Sequence, residues 1–213
     1  KRDWQSIRQM ILKSDLEKNL QNKIYKVFES LAIAEGKVHG INPDNVHFHE
    51  IGAIDSLVDI IGVCASINFL KPKRVYCNPP NLGKGFVQTA HGRLSIPSPA
   101  VIELISNNKL NIVSSFDSIE GELSTPTGIA LITNLVDSFK YPHKYSIRSY
   151  GVGLGNLQLP FPNLVRVMKI AIPEEESVNE QINPKYEVIS VQEAWIDDQT
   201  PEDVANFVQK LRN

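Results

Sequence analysis

An α/β fold is predicted for this chain of 213 residues, with a mixed sheet, flanking helices, a linker, and the first strand and helix of a truncated second domain. Three observations predict it. Apolar residues at helical spacing alternate along the chain with short β-rich segments. Two helices are opened by a hydroxyl residue followed by proline, the N-cap and first-position preferences of a helix. Apolar patterning then stops at residue 173, where a stretch rich in Glu, Asn, Gln and Ser begins.

The composition belongs to a globular protein. It is 42% hydrophobic and 22% charged, with 12 Gly and 13 Pro, which excludes a disordered chain, a collagen-like chain and a coiled coil. A net charge of −2 gives no electrostatic pull towards nucleic acid or an anionic membrane surface. The most apolar run is broken by Asp59, well short of the roughly 18 residues of a membrane span. Cys64 and Cys77 fit neither a disulfide framework nor a zinc-knuckle spacing, so a reducing, cytoplasmic setting is expected. The chain opens at Lys1, not Met, and an upstream portion is expected to be missing.

The elements follow in order. A short helix is predicted around Trp4, Ile7 and Ile11. A longer amphipathic one spans 15–38, carried by Leu16, Leu20, Ile24, Val27, Phe28, Leu31 and Val38 and stopped by Gly40, Asn42 and Pro43. Residues 46–50 read as a strand or extended loop. A helix over 55–70 is apolar around most of its circumference, with Asp55, Asp59, Gly62 and Ser66 in a narrow strip, and is expected to be buried. Residues 74–78 read as a strand and 79–85 as a Pro/Gly loop. Ser98-Pro99 opens a helix, 111–115 is a strand, and Thr125-Pro126 opens a helix to about 139. The last strands of the unit are 145–150 and 164–172. The linker covers 173–185, with Glu174, Glu175, Glu176 and Glu180. After it, 186–195 alternates as a strand and 201–211 reads as a helix, too little to bury a core alone.

Four constellations could carry chemistry. His47 and His49 share one face of an extended segment, a metal-ligand arrangement, with Glu50, Asp55 and Asp59 close behind. The same residues could instead pair locally and only stabilise the turn. Ala90-His91-Gly92 sets a histidine beside a residue that permits close backbone approach. The helix starts at Ser98-Pro99 and at Thr125-Pro126-Thr127-Gly128 offer backbone amides to an anion, the second behind the carboxylates Glu120 and Glu122. Gly151-Val152-Gly153-Leu154-Gly155 follows a strand but leads into no helix. It therefore fails as a dinucleotide fingerprint and reads as a loop able to close over a ligand.

Taken in order, His47-Phe48-His49-Glu50-Ile51-Gly52-Ala53-Ile54-Asp55-Ser56, Ala90-His91-Gly92-Arg93-Leu94, Glu120-Gly121-Glu122-Leu123 with Thr125-Pro126-Thr127-Gly128, and Gly151-Val152-Gly153 resemble the LarC family. That family inserts nickel during biosynthesis of the nickel-pincer nucleotide. The resemblance runs into Ile196-Asp197-Asp198-Gln199-Thr200-Pro201-Glu202, which looks like the opening of the family's C-terminal domain. On this reading 1–172 is the central part of the N-terminal α/β domain and 186–213 the start of a truncated CTP-binding domain. The family's histidine-rich N-terminal stretch and most of the CTP domain have no counterpart here, so the chain alone is expected to be inactive.

The resemblance implies a CTP-dependent cyclometallase of the lyase class. It would insert nickel into pyridinium-3,5-bisthiocarboxylic acid mononucleotide, forming one carbon–nickel and two sulfur–nickel bonds, with Mn or Mg accompanying CTP. The product is the cofactor of lactate racemase and its relatives. The implied partners are therefore the nucleotide precursor, a racemase-type apoenzyme and further copies of the chain, without nucleic acid or membrane. His47, His49, Asp55 and Asp59 would hold metal. Glu120, Glu122 or His91 would take the proton from the pyridinium carbon. Thr125, Thr127, Gly128, Ser98, Gly151 and Gly153 would bind the nucleotide. A metal-dependent hydrolase using the same His and carboxylate cluster, and a non-catalytic nickel carrier, are the alternative readings.

Overall fold

The structure is a computed structural model that describes residues 2–48, 54–89, 92–113 and 119–173, excepting the side chains of Arg2, Ile54 and Asp55. The chain divides into two units, Lys1–Ile172 and Pro173–Asn213. The sequence expectations for the linker and for 186–213 lie outside the described residues.

The first unit begins with β1 (Arg2–Asp3) and α1 (Trp4–Lys13). Asp3 caps α1 by accepting from the Ser6 amide at 2.7 Å. Trp4, Ile7 and Ile11 recur at helical spacing and all three are buried. Next comes α2 (Lys18–His39), which buries Leu20, Ile24, Val27, Phe28 and Leu31. It starts later than the apolar pattern implied, because Leu16 lies before the first turn, and Leu16 and Val38 both remain exposed. Gly40 ends it in the left-handed conformation, donating back to Gly36 and Lys37 carbonyls. A 3-10 turn at Pro43–Asn45 leads into β2 (His47–Phe48), antiparallel to β1.

Helix α3 (Ile54–Leu70) corrects an expectation. It buries Leu57, Ile60 and Cys64, while Val58, Val63, Phe69 and Leu70 are exposed. The helix rests on α2 and on α5 (Pro126–Leu135) along one side only, so its other apolar residues meet solvent. Asp59, Gly62 and Ser66 share that open side, and Asp59 therefore needs no buried partner.

The α/β class holds, and among the described residues the sheet is reduced to pairs. Strands β3 (Gly83–Lys84) and β6 (Gly121–Glu122) pair antiparallel, as do β4 (Phe86–Thr89) and β5 (Gly92–Ser95). Among the described residues parallel pairing is confined to isolated bridges at Tyr76 with Ser138, Asn81 with Val113, and Lys84 with Glu120. The strand predicted at 74–78 is therefore a single bridge, as is the described part of 111–115, whose residues 114 and 115 lie outside the described residues. Pro79 and Pro80 donate no amide to a ladder, which keeps this region from becoming a continuous sheet.

Helix α4 (Pro99–Asn108) buries Ala100, Val101 and Leu104. Helix α5 buries Ile129 and Ala130 and ends at Leu135, short of residue 139, because Val136 turns to extended backbone. All four other helices touch α2. Phe28 sits at its centre with ring centroids 6.5 Å from Trp4 and 6.3 Å from Phe48. Burying such a ring contributes about 1.5–3 kcal/mol. Lys37 on α2 pairs with Glu103 on α4 at the surface.

The unit closes with a ribbon, β7 (Ser146–Leu154) antiparallel to β8 (Leu164–Ala171). The loop expected at 151–155 is in fact mostly strand. Gly151 faces Val167 and Gly153 faces Val165 across the pair, so the partner strand supplies the side chains the glycines lack. Gly155 donates to the Asn163 carbonyl at 2.8 Å and closes the ribbon. Tyr150, Val152 and Leu154 are exposed, as are Val165 and Val167.

Candidate functional site

Two segments converge near the start of α5, and glycines allow it. Gly83 has φ +78°, and a Cβ there would stand 2.0 Å from the Gly121 carbonyl oxygen. Gly121 has φ +125°, and a Cβ there would stand 2.9 Å from a Leu157 methyl. Only a residue without Cβ at 83 lets the two backbones lie this close, whereas at Gly121 the neighbour is the Leu157 side chain. Lys84 donates to the Ile119 carbonyl at 3.2 Å and Leu123 to the Leu82 carbonyl at 3.2 Å. Glu120 is thereby bridged to Lys84, and Glu122 lies opposite Gly83.

The two carboxylates are not equivalent. Glu120 is exposed, whereas Glu122 is half-buried. One residue beyond Leu123, the Ser124 hydroxyl donates to the Asn81 carbonyl at 2.5 Å. The Asn81 side-chain oxygen is itself buried and without a hydrogen-bond partner among the described residues. A buried acceptor left unpaired costs about 1–3 kcal/mol, so a donor arriving here would be stabilised.

The start of α5 is largely closed by its own cap. The Thr125 hydroxyl accepts from the Gly128 amide at 3.2 Å, and the Thr125 carbonyl accepts from the Ile129 amide at 3.0 Å. Of the amides expected to face a phosphate, only that of Thr127 is not taken by the cap. Gly128 is half-buried, and a Cβ there would meet nothing nearer than the Thr125 hydroxyl at 3.5 Å.

At α4, Ser98 occupies the cap position but its side chain makes no cap hydrogen bond. It is 6% exposed, and its hydroxyl oxygen has no partner among the described residues. Gly151 and Gly153 stand on exposed β7, far along the chain from either helix start.

His47 is exposed on β2, directly opposite Asp3. Hydrogen bonds from Ser6 hold the Asp3 carboxyl below its ordinary value, and the nearby His47 charge adds to the effect. His49 and His91 lie outside the described residues, as does the Asp55 side chain. Among the described residues no three His, Cys, Asp or Glu side chains gather as a metal site. Burial pushes the Cys64 thiol up to about 11 and raises Cys77 as well, so both keep their protons at neutral pH.

Sequence reasoning missed Asn81, Gly83 and Lys84, having read 79–85 as a plain loop. Their signal was the Asn81-Leu82-Gly83-Lys84-Gly85 run, where two alternate glycines bracket a cation.

Comparison with known proteins gives the chain its relatives. The family described as nickel insertion protein matches residues 1–213, the whole chain. A protein of Synechococcus sp. (strain JA-3-3Ab), named "Putative nickel insertion protein", is 38% identical over 210 residues, covering 99% of this chain and 50% of that protein. A Picosynechococcus protein of the same name is 38% identical over 206 residues, covering 97% and 47%. Its Synechococcus elongatus namesake is 39% identical over 185 residues, covering 87% and 46%. The chain thus spans about half the length of these curated relatives. No solved structure matches it. With the match running from the first residue to the last, the chain belongs to the nickel insertion protein family.

Proposed function

We propose that this chain is the part of a nickel insertion protein that brings nickel(II), as substrate, to a ring-bearing mononucleotide. In its finer form the reading is CTP-dependent insertion into pyridinium-3,5-bisthiocarboxylic acid mononucleotide. One carbon–nickel and two sulfur–nickel bonds form, and the product serves a lactate racemase-type apoenzyme. CTP with Mn or Mg belongs to the domain that would open at 186–213, and a homo-oligomer is compatible with this arrangement. The observation that carries the reading is the close crossing at Gly83 and Gly121. It sets two carboxylates of unequal burial beside an unpartnered amide oxygen and a helix start.

The chemistry asks for both kinds of carboxylate. Nickel(II) accepts imidazole and carboxylate ligands, and delivery requires ligands it can leave. Exposed Glu120, with His47, His49, Asp55 and Asp59 as an entry group, suits transient holding. Forming a carbon–nickel bond removes a proton from the ring carbon. Half-buried Glu122, on the crossing beside the α5 start, suits that base. Lys84 offers a cation to the substrate's negative groups. Thr127 supplies the helix-start contact left open by the cap.

The test is nickel transfer by the full-length protein, read as activation of a racemase apoenzyme and as nickel retained in the isolated nucleotide. Glu122→Gln is expected to slow transfer at least about 100-fold while nickel binding by calorimetry is kept. His47→Ala with His49→Ala is expected to weaken nickel binding. Transfer at the wild-type rate in Glu122→Gln would overturn the base assignment. Nickel binding without any transfer would leave a carrier, and turnover of simple phosphate esters would point to a hydrolase.

A further inference from the structure

A second place on the unit has the chemistry of a nucleotide site, and it lies past the C-terminal end of α5, not at its start. Residues 74–77 run beside 137–138. Asp137 donates its amide to the Val75 carbonyl at 2.9 Å and accepts the Val75 amide on its carboxylate at 2.7 Å, and Cys77 donates to the Ser138 carbonyl at 3.2 Å. This brings Tyr76 against Tyr141, with ring centroids 5.9 Å apart and planes inclined at 26°. Tyr141 in turn meets Tyr145 at 6.3 Å and 37°. Tyr145 ends the run and is 40% exposed.

Cations flank the rings in sequence. Lys71, Lys73 and Arg74 lead into Tyr76, and Lys140, Lys144 and Arg148 interleave with Tyr141 and Tyr145. All six are exposed, and none makes an ion pair among the described residues. The acid within 71–78 and 137–150 is Asp137, whose carboxylate is engaged by the Val75 amide. So a chain of net charge −2 collects six cations on two adjoining segments, none of them ion-paired among the described residues. Like charges held together repel, and the cost falls when an anion arrives.

We propose that this face binds a planar ring carrying phosphate, a mononucleotide, with the ring stacked on Tyr145 and the phosphate held by Lys140 and Lys144. Three tyrosines in contact form a stiff platform, so a ring stacking on the last of them costs little side-chain ordering. An acidic peptide would use the cations but not the platform. A single strand of nucleic acid stacks successive bases on successive rings, whereas here Tyr76 and Tyr141 are covered by each other and one ring remains open. Burial also raises the Tyr141 phenol, which keeps its proton and adds no negative charge to the face.

This deepens the proposed function, on which it rests only for the identity of the ring. The substrate proposed for nickel is itself a ring-bearing mononucleotide, and this face would be a second place for one, apart from Glu122 and Thr127.

The test uses the full-length protein with nicotinamide mononucleotide, a pyridinium ring on a ribose phosphate, as probe. Inorganic phosphate and a ten-residue oligo-dT serve as comparisons, all by isothermal titration at two salt concentrations. Tyr145→Leu is expected to weaken mononucleotide binding about tenfold or more, and Tyr145→Phe to restore it. Lys140→Gln with Lys144→Gln is expected to weaken it about tenfold and flatten its salt dependence. Circular dichroism confirms that the variants fold. Equal affinity for phosphate and mononucleotide, or unaltered binding in Tyr145→Leu, overturns the proposal. Oligo-dT bound tenfold more tightly than the mononucleotide overturns it in favour of a strand. Calorimetric nickel binding separates the two readings. Mononucleotide binding lost in Tyr145→Leu with nickel binding unchanged supports this site, whereas nickel transfer absent despite normal mononucleotide binding bears on the proposed function alone.

Discussion

Replacing Gly83 with Ala tests the crossing that positions Glu120 and Glu122. The added Cβ would stand 2.0 Å from the Gly121 carbonyl oxygen and 3.1 Å from Leu123 Cγ, the first about 1.4 Å inside ordinary van der Waals contact. The atom it meets is backbone, held by the β3–β6 pair, so it cannot swing aside as a side-chain tip would. Gly92 is the control, because it too has positive φ, at +97°, yet a Cβ there meets nothing within 4 Å. Both substitutions carry backbone strain of roughly 1–3 kcal/mol. Gly83→Ala adds overpacking of about 1–3 kcal/mol. The expected difference between the two is then about 2 kcal/mol, or roughly 4–8 °C in Tm for a unit of this size. Thermal melts followed by circular dichroism measure it. If Gly83→Ala melts within 1 °C of Gly92→Ala, the close approach is wrong and the two carboxylates are not held as described.

Two further predictions use other parts of the unit. Thr125→Ala removes the hydroxyl that accepts from the Gly128 amide and should cost about 1 kcal/mol in urea unfolding, whereas Ser98→Ala, whose hydroxyl caps nothing, should be neutral or stabilising. A loss above 1 kcal/mol for Ser98→Ala would reveal a partner for that oxygen. Cys64 gives an alkaline dependence: its thiol keeps a proton in the fold to about pH 11, while in the unfolded chain it ionises near 9.0. Stability should therefore decline as pH rises from about 9 and level off above about 11. Cys64→Ala should flatten that decline, and an unchanged profile would contradict it.

The helices were legible in the sequence because their signals are local. Gly40, Ser98-Pro99 and Thr125-Pro126 mark ends within a turn of where they fall, and Trp4, Ile7, Ile11 and the α2 apolar set point inward as their spacing requires. What failed depended on distant partners. Gly151 and Gly153 look like loop residues until Val165 and Val167 are seen across from them. The sides of α3 could not be sorted into covered and open without knowing that α2 and α5 lie on one of them. Gly83 and Gly121, 38 positions apart in the chain, carry no joint signature in one sequence. Tyr76 likewise joins Tyr141 only through its isolated bridge to Ser138. The histidine motifs remain what the sequence made them, since His49 and His91 lie outside the described residues.

Helix α2 has 22 residues and runs about 33 Å, and every other helix of the unit rests on it. Such an arrangement has a hub and spokes, and it constrains the order of assembly. α4 and α5 touch each other and α3 touches α5, but α2 is the one helix that all four others share, so each completes its burial only once α2 is in place. Melting of α2 must therefore release the whole helical core together, since no remaining set of spokes encloses Phe28, Ile24 or Leu31. A chain break inside α2 would be worse tolerated than one in any loop, and a permuted chain would need to keep residues 18–39 continuous to fold.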